Sequence, residues 1–135
     1  MQSDTVERID FMNYTNEFLE QCGFTSAQKI LSGKWAMLII LFLSEKTMRF
    51  NEIQRLFPDI THATLTKQLR TLEEYGVVVR NAYSQIPPKV EYSLSDIGKK
   101  LKPILDSIMI WGEEYKEYQY GPTVVNNSCR IPDTK

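Results

Sequence analysis

The spacing of apolar residues changes twice between Arg49 and Leu94, and each change marks a new structural element. The stretch RFNEIQRLF has the spacing of a short amphipathic helix, which Pro58-Asp59 ends because proline lacks an amide donor. ITHATLTKQLRTLEEYG predicts a second helix with a polar, partly basic outer face. VVVRNAY and KVEYSL alternate as paired strands do, on either side of a proline-stiffened tip at 84–88. The predicted order is helix, turn, helix, hairpin.

The elements before this segment are also predicted to be helical. Residues 13–22 and 24–31 predict two short helices, the first of which ends at Gly23. Lys34 to Ser44 is apolar on almost every side, which indicates a buried central helix and not a surface one. Met48-Arg49 is expected to add a short third strand to the hairpin.

After the hairpin, Ser95 predicts a helix start, because its hydroxyl can cap free backbone amides. Pro103 is expected to interrupt or kink the helical stretch that follows. Around and beyond it, apolar residues recur at three and four positions and form one wide stripe: Leu101, Ile104, Leu105, Ile108 and Trp111. We expect this helix to reach about Tyr120, where Gly121-Pro122 stops it.

Helix, turn, helix and hairpin in this order is the plan of a winged helix-turn-helix, which reads duplex DNA. The predicted fold class is therefore mainly α with a small β-hairpin wing (α+β), with a dimer formed by the terminal helices. We expect a flexible amino-terminal arm at 1–12, a DNA-binding and dimerisation domain at 13–120, and a loose tail at 121–135.

Composition and charge narrow the class of protein without changing the fold. A chain of 135 residues suits one domain, and 42% hydrophobic with 24% charged residues is ordinary for a soluble globular protein. The longest apolar run, Trp35 to Leu43, is too short to span a bilayer and no export signal is recognised, so we expect a cytoplasmic protein without a membrane partner. The net charge is −1, yet residues 46–102 hold ten Lys or Arg against six Asp or Glu, which is consistent with local contact to phosphates.

The second helix of the motif carries the first set of candidate DNA contacts. With three leucines facing inward at about 100° per residue, small polar and basic side chains face outward. The inward residues are Leu65, Leu69 and Leu72. The candidate contacts are Thr61 as N-cap, Ala63, Thr64, Lys67, Arg70 and, at the margin of the face, Gln68. The same pattern suits the solvated face of any surface helix, but the flanking turn and hairpin favour groove recognition.

The hairpin tip is the second candidate contact. Pro87-Pro88 stiffens it, and Gln85 and Lys89 flank it. A wing of this kind places one or two side chains on the DNA backbone or in the minor groove. The alternative is a stable hairpin whose lysine only raises solubility. Arg80 could face a phosphate or pair with Glu91 across the hairpin, and the sequence leaves both arrangements open.

Catalytic and metal-binding patterns are not found in the sequence. His62 is the single histidine, and Cys22 and Cys129 are far apart, so no zinc-type spacing occurs. Glycine-rich phosphate loops, nucleophile elbows and paired carboxylates are not found either. We therefore predict no enzyme activity, no cofactor and no metal site, and we expect His62, next to a helix start, to be a polar contact or a cap-region residue.

Aromatic residues near both ends of the chain indicate an interface between two copies. Helices too apolar for their own surface suggest pairing across a two-fold axis. The predicted interface residues are Tyr14, Phe18, Ile108, Trp111 and Tyr115. Such a dimer would present two recognition helices to successive major grooves about 34 Å apart. The alternative is that both clusters cover the core of a monomer.

The order and spacing of many residues between Cys22 and Gly112 resemble those of the HxlR-type transcriptional regulators, a winged-helix branch related to the MarR group. Each marker alone is weak, but the set is specific. The markers are Cys22, Gly33-Lys34-Trp35, Arg49-Phe50-Asn51-Glu52-Ile53, Ile60, Leu65, Gln68-Leu69-Arg70, Leu72-Glu73, Gly76, Pro87-Pro88-Lys89-Val90-Glu91-Tyr92-Ser93-Leu94, Gly98, Leu101 and Trp111.

This resemblance implies a cytoplasmic homodimer that binds operator DNA and represses or activates nearby genes. It also places Cys22 where many relatives keep a cysteine, which in some of them responds to oxidants or electrophiles. In this chain Gly23 stands where relatives often carry proline, and a buried, inert cysteine is the alternative role.

Two other hypotheses stay open. The first is a winged-helix module that binds protein without reading DNA. The second is a sensor whose small-molecule effector would bind near Trp35, Phe18 or Trp111, which is compatible with DNA binding.

Overall fold

The computed structural model describes residues 16–122, and the predicted arm at 1–12 and most of the predicted tail lie outside this range. The chain divides into two compact units, Met1–Ser32 and Gly33–Lys135. In the first unit, α1 spans Asn16–Gln21 and α2 spans Gly23–Leu31, and the two helices pack against each other. Gly23, expected to end the first helix, is instead the first residue of the second; the first helix stops at Gln21, and Cys22 between them is the N-cap residue.

The second unit contains the predicted motif. Its elements are α3 (Ala36–Glu45), β1 (Met48–Arg49), α4 (Phe50–Leu56), α5 (His62–Glu74), β2 (Val78–Tyr83), β3 (Lys89–Leu94), α6 (Asp96–Lys99) and α7 (Leu101–Tyr120). The order helix, turn, helix, hairpin is confirmed for α4, α5, β2 and β3. The fold class, mainly α with a small sheet, is confirmed as well.

The core of this unit is built around α3, as its all-round apolar sequence predicts. Its buried residues are Ala36, Ile39, Ile40, Leu41, Phe42 and Leu43. The three leucines of α5 are at most 1% exposed, so the inward face predicted for that helix is confirmed. Replacing such a leucine by alanine typically lowers the free energy of unfolding by about 2–5 kcal/mol. One side of α5 is therefore fixed, and its opposite side is left to solvent.

The sheet has three antiparallel strands in the order β1-β3-β2, and the third strand predicted at Met48-Arg49 is confirmed. The register pairs Val78 with Leu94 and Met48 with Tyr92. Val78, Leu94 and Met48 are buried, so this face of the sheet covers the core. Because side chains alternate along a strand, the intervening residues lie on the other face.

The turn between α4 and α5 is fixed by side chains from both helices. Gln54 Nε2 donates to the carbonyl of Ile60 at 2.7 Å, which ties α4 to the residue just before α5. The Phe50 and His62 rings, at the first residue of each helix, pack with centroids 4.5 Å apart. These contacts set the angle at which α5 leaves the body of the protein.

The end of α5 is closed by Gly76, which has φ of +78° and so adopts a conformation that favours glycine. The Gly76 amide donates to the carbonyl of Glu73 at 2.9 Å. The Val77 amide donates to the carbonyl of Leu72 at 3.0 Å. This pair of bonds is a Schellman motif. The chain then enters β2 after a link of only three residues, 75–77.

The base of the wing is held by α6. The Ser95 hydroxyl accepts from the Gly98 amide at 3.1 Å, so the predicted N-cap is confirmed. A Cβ atom on Gly98 would lie 2.3 Å from the carbonyl oxygen of Val77, a backbone atom that has little room to move. Only glycine permits this approach of α6 to the link between α5 and the wing.

The last helix ends where the sequence predicts, and the helical stretch after Ser95 is interrupted as expected. The break falls at Lys100, between α6, which stops at Lys99, and α7, which starts at Leu101 and includes Pro103. Pro103 has no amide hydrogen to donate to the Lys99 carbonyl. Because it lies in the first turn of α7, where amides have no partner within the helix, the missing donor costs that helix little. At the other end, Gly121 with φ of +83° follows Tyr120 and terminates the helix.

Candidate nucleic-acid interface

The amino end of α5 carries a pair of linked hydroxyl groups. Thr61 is the N-cap, as predicted, and its Oγ1 accepts from the backbone amide of Thr64 at 3.1 Å. The same Thr61 hydroxyl donates to Thr64 Oγ1 at 2.8 Å. Within the described residues the Thr64 hydroxyl donates no hydrogen bond, and both side chains are exposed. Its hydrogen is therefore available to an acceptor in solution, such as a phosphate oxygen.

The exposed face of α5 contains most of the side chains predicted to contact DNA. Ala63, Lys67 and Arg70 are all exposed and line one open depression along the helix. Neither Lys67 nor Arg70 has an ion-pair partner among the described residues. The acidic residues of the helix, Glu73 and Glu74, lie in its last turn. The hydroxyls of Thr61 and Thr64 thus lie at the amino end of the helix, and Lys67 and Arg70 follow along the same exposed face, ahead of the acidic last turn.

Gln68 differs from the other residues predicted on this face. It is half-buried, and its side-chain amide lies over Gly33: a Cβ atom there would come within 2.6 Å of Gln68 Oε1. The contact joins α5 to Gly33, three positions before the start of α3. Gln68 is at the margin of the face, as the sequence indicates, and it packs against the body of the protein.

The wing flanks differ in their surroundings. Gln85 is exposed in the tip, whereas Lys89 is half-buried at the start of β3. The Lys89 ammonium lies 3.5 Å from Glu91 Oε1 and 5.2 Å from the centroid of the Tyr83 ring. Both side chains still reach solvent, and a solvent-accessible ion pair contributes about 0–1 kcal/mol, so a phosphate can compete for the lysine.

The register decides between the two arrangements that the sequence leaves open for Arg80. Arg80 pairs with Tyr92, whereas Glu91 pairs with Asn81, so Arg80 and Glu91 project from opposite faces of the sheet. A cross-strand pair between them is therefore excluded. Arg80 is exposed, and no ion pair involving it occurs within the described residues.

Two residues of this region were not recognised as important from sequence. His62 directly follows the N-cap of α5, so it is a cap-region residue as expected, but the packing of its exposed ring on Phe50 was not predicted. Ile86 is 101% exposed at the centre of the wing tip. An isoleucine between a polar residue and two prolines is the signal that could have identified it.

The residues predicted at a dimer interface form an exposed aromatic stripe where they lie on α7. Trp111 is 64% exposed, and Ile108 and Tyr115 are 40% and 46% exposed. The Trp111 and Tyr115 rings stack with centroids 5.5 Å apart. In the first unit, Phe18 on α1 is also exposed, while Tyr14 lies outside the described residues.

Cys22 lies at the junction of α1 and α2. It is half-buried, is not part of a disulfide, and makes no side-chain cap hydrogen bond. Cys129 lies outside the described residues. As for membrane association, no single helix within residues 16–122 is long and apolar enough to cross a bilayer.

Comparison with known proteins places these features in a family. Residues 30–120 match the model of the HxlR-like helix-turn-helix family. The chain is 42% identical over 106 residues to YdeP, an uncharacterized HTH-type transcriptional regulator of Bacillus subtilis; the match covers 78% of this chain and 83% of YdeP.

Solved structures agree with this assignment. The redox regulator HypR in its oxidized form shares 42% identity with a TM-score of 0.65, over 69% of this chain and 96% of HypR. A regulator assigned to the MarR family from Porphyromonas gingivalis shares 33% identity with a TM-score of 0.67, over 76% of this chain and 97% of its own. The resemblance found in the sequence is confirmed: the chain belongs to the HxlR-like helix-turn-helix family.

Proposed function

We propose that this protein is a sequence-specific DNA-binding transcriptional regulator that acts as a homodimer on operator DNA. The observation that carries the proposal is the difference between the two sides of α5. One side is locked into the core by three leucines, and the other presents hydroxyls and cations that lack ion-pair partners among the described residues. A helix of this kind, held by a turn and flanked by a wing, fits the major groove of a duplex. The proposed role is binding in the cytoplasm and not catalysis.

Each side chain on this face has chemistry that suits a defined DNA group. Thr61 and Thr64 can donate to phosphate oxygens or base edges, and the Ala63 methyl can contact a thymine methyl. Lys67 and Arg70 can bind phosphates or the acceptor edge of guanine. Gln68 would contact a base only by leaving its position over Gly33.

The wing supplies the second group of proposed contacts. Gln85 is exposed and can bond a sugar or phosphate. Lys89 would exchange its ion pair with Glu91 for one with a phosphate, so the net gain in electrostatic energy is small. We therefore assign Lys89 a smaller share of the electrostatic affinity than Lys67 or Arg70, whose charges have no ionic partner to give up.

The homodimer rests on the stripe along α7. Ile104, Ile108, Trp111, Tyr115 and Tyr118 are all exposed, although large apolar side chains at this spacing normally face a protein surface. A second copy is the partner that explains this stripe together with the two-fold symmetry of most operators. Phe18 and Tyr14 stay part of the proposed interface on the amino-terminal side.

The test of the proposed function is selection from a random duplex library, followed by fluorescence anisotropy on the selected sequence at two salt concentrations. Neutralised phosphates release counterions, so affinity for a true operator falls steeply as salt rises. We expect an inverted repeat and a steep salt dependence. Absence of any enriched sequence, with only weak binding that salt abolishes, would contradict the proposal and favour a winged-helix module that binds protein.

A redox response through Cys22 is a second, compatible proposal. Cys22 is partly exposed at the N-cap position of α2 and forms no disulfide, so an oxidant can reach its thiol. The structurally similar HypR is a redox regulator with an oxidized form. An oxidant is therefore the effector we propose first, ahead of a small molecule bound near Trp35.

The redox proposal is tested with diamide, which takes two hydrogens from two thiols to form a disulfide. In the Cys129→Ser variant the second thiol is Cys22 of the partner subunit. We expect diamide to change the operator affinity of the wild type and of Cys129→Ser, and to leave that of Cys22→Ser unchanged. Equal responses of the wild type and Cys22→Ser would contradict a role for Cys22.

A further inference from the structure

The wing tip of this protein is apolar. Ile86 is 101% exposed, and the flanking Gln85, Pro87 and Pro88 are exposed as well. A fully exposed isoleucine contributes nothing to the stability of the hairpin, because folding removes none of its surface from water. The two prolines restrict the backbone beside it, so the side chain is held out at little further cost in entropy. These features fit a side chain that is buried only when a partner binds.

The tip offers little positive charge. From residue 81 to residue 88 the chain contains no Lys or Arg. Lys89, the first cation after the tip, is held by Glu91 and the Tyr83 ring. Charge therefore adds little to contact between the tip itself and DNA, and shape and apolar area are what Ile86 and the two prolines can supply beside any bond made by Gln85.

The fold brings this tip beside the recognition helix. The link of three residues between α5 and β2 leaves room only for a turn, and the helix packs against the strand. α5 has 13 residues and β2 has 6, which correspond to lengths of about 20 Å each. A hairpin of this length that folds back along α5 ends near the amino terminus of the helix. With that terminus in the major groove, the tip meets the adjoining minor groove.

We propose that Ile86 enters the minor groove of the operator and is a specificity-determining contact there. The inference rests on the proposed function and names a residue and a groove for it. Apolar side chains, isoleucine among them, are known minor-groove wedges. The exocyclic amino group of guanine projects into that groove and occupies the space such a side chain needs. A·T pairs beneath the tip are therefore preferred, and the contact adds affinity that is independent of salt.

The first test compares Ile86→Ala with Ile97→Ala. Ile97 lies on α6, is 60% exposed, and has no place in the proposed interface, so it is a matched control. We expect Ile86→Ala to lower operator affinity about five- to tenfold, with no change in the slope of log affinity against log salt. Ile97→Ala should bind like the wild type. Since both side chains are exposed, thermal unfolding should show that both variants fold.

The second test changes the DNA beneath the tip, located by footprinting. Replacing A·T pairs there with G·C should weaken wild-type binding, and replacing them with inosine·C should restore it. Inosine lacks the minor-groove amino group but keeps the major-groove edge of guanine. The Ile86→Ala variant should discriminate less than the wild type between G·C and inosine·C duplexes. Equal affinity of the wild type for G·C and inosine·C duplexes, or wild-type affinity of Ile86→Ala, would overturn the proposal. Failure of the wild type to bind any selected duplex would instead overturn the proposed function and this inference with it.

Discussion

Two helices of this protein, α5 and α7, have the same design on one side and opposite chemistry on the other. Each buries leucine against the core, Leu65, Leu69 and Leu72 on α5 and Leu105 on α7. The outer face of α5 then carries threonines, Lys67 and Arg70. The outer face of α7 carries isoleucines and stacked aromatic rings. Packing explains the inner faces of both helices, so the outer faces are where partners are specified.

The two outer faces suit different partners. Unpaired cations and hydroxyl donors favour a polyanion, whose phosphates supply charge and acceptors at once. The aromatic and aliphatic stripe carries no positive charge to attract phosphates and instead favours another apolar surface. A protein in which α5 binds DNA and α7 binds a second copy accounts for both, and each assignment can be tested without disturbing the other.

The largest effect is expected at the stripe. Trp111→Glu places a carboxylate in the proposed interface, where an unpaired buried charge is strongly unfavourable. We expect a monomer by sedimentation at micromolar concentration and, because only one half-site is then held, a loss of operator affinity of about 100-fold or more.

The control for this variant is Ile110→Glu, at a residue that is 63% exposed and about 100° around the helix from Trp111. It should remain dimeric. A dimeric Trp111→Glu variant with wild-type affinity would show that α7 does not form the interface.

A smaller effect is expected on α5. Arg70→Ala removes one exposed cation, so operator affinity should fall about tenfold and the salt slope should decrease by about 1. Lys99→Ala, which removes an exposed cation on α6, should leave both nearly unchanged. The dimer should persist in both variants. If affinity and slope for Arg70→Ala match the wild type, the outer face of α5 does not hold phosphates through this residue.

The smallest effect is expected at the cap of α5. Thr61→Ala removes the acceptor for the Thr64 amide, which should lower the free energy of unfolding by about 1 kcal/mol in chemical denaturation. Thr61→Ser keeps the hydroxyl and should unfold like the wild type. Equal destabilisation by serine and alanine would mean that the hydroxyl does not provide the cap.

Local sequence signals were sufficient for most of the fold. The N-caps Thr61 and Ser95, the break before Pro103 and the stop at Gly121 are confirmed, because each depends on a residue and its near neighbours. The inward leucines of α5 follow from helical periodicity in the same way. Features of this kind need no knowledge of what packs against them.

Features that depend on distant contacts could not be predicted. The position of Gln68 over Gly33 joins residues 35 positions apart, and no local pattern announces it. The side of the sheet taken by Arg80 depends on register, where one residue of slip exchanges the faces. The pairing of Lys89 with Glu91 had a weak local signal, since residues two apart on a strand share a face.

The central claim is that one dimer places two α5 helices in successive major grooves. The most direct measurement is the affinity of the wild type for its selected inverted repeat with 0 or 5 base pairs inserted at the centre. Five base pairs rotate one half-site to the opposite side of the duplex, since a turn takes about 10–10.5 base pairs. We predict that affinity falls to that of a single half-site. Unchanged affinity on the longer duplex would contradict the paired arrangement of the two helices.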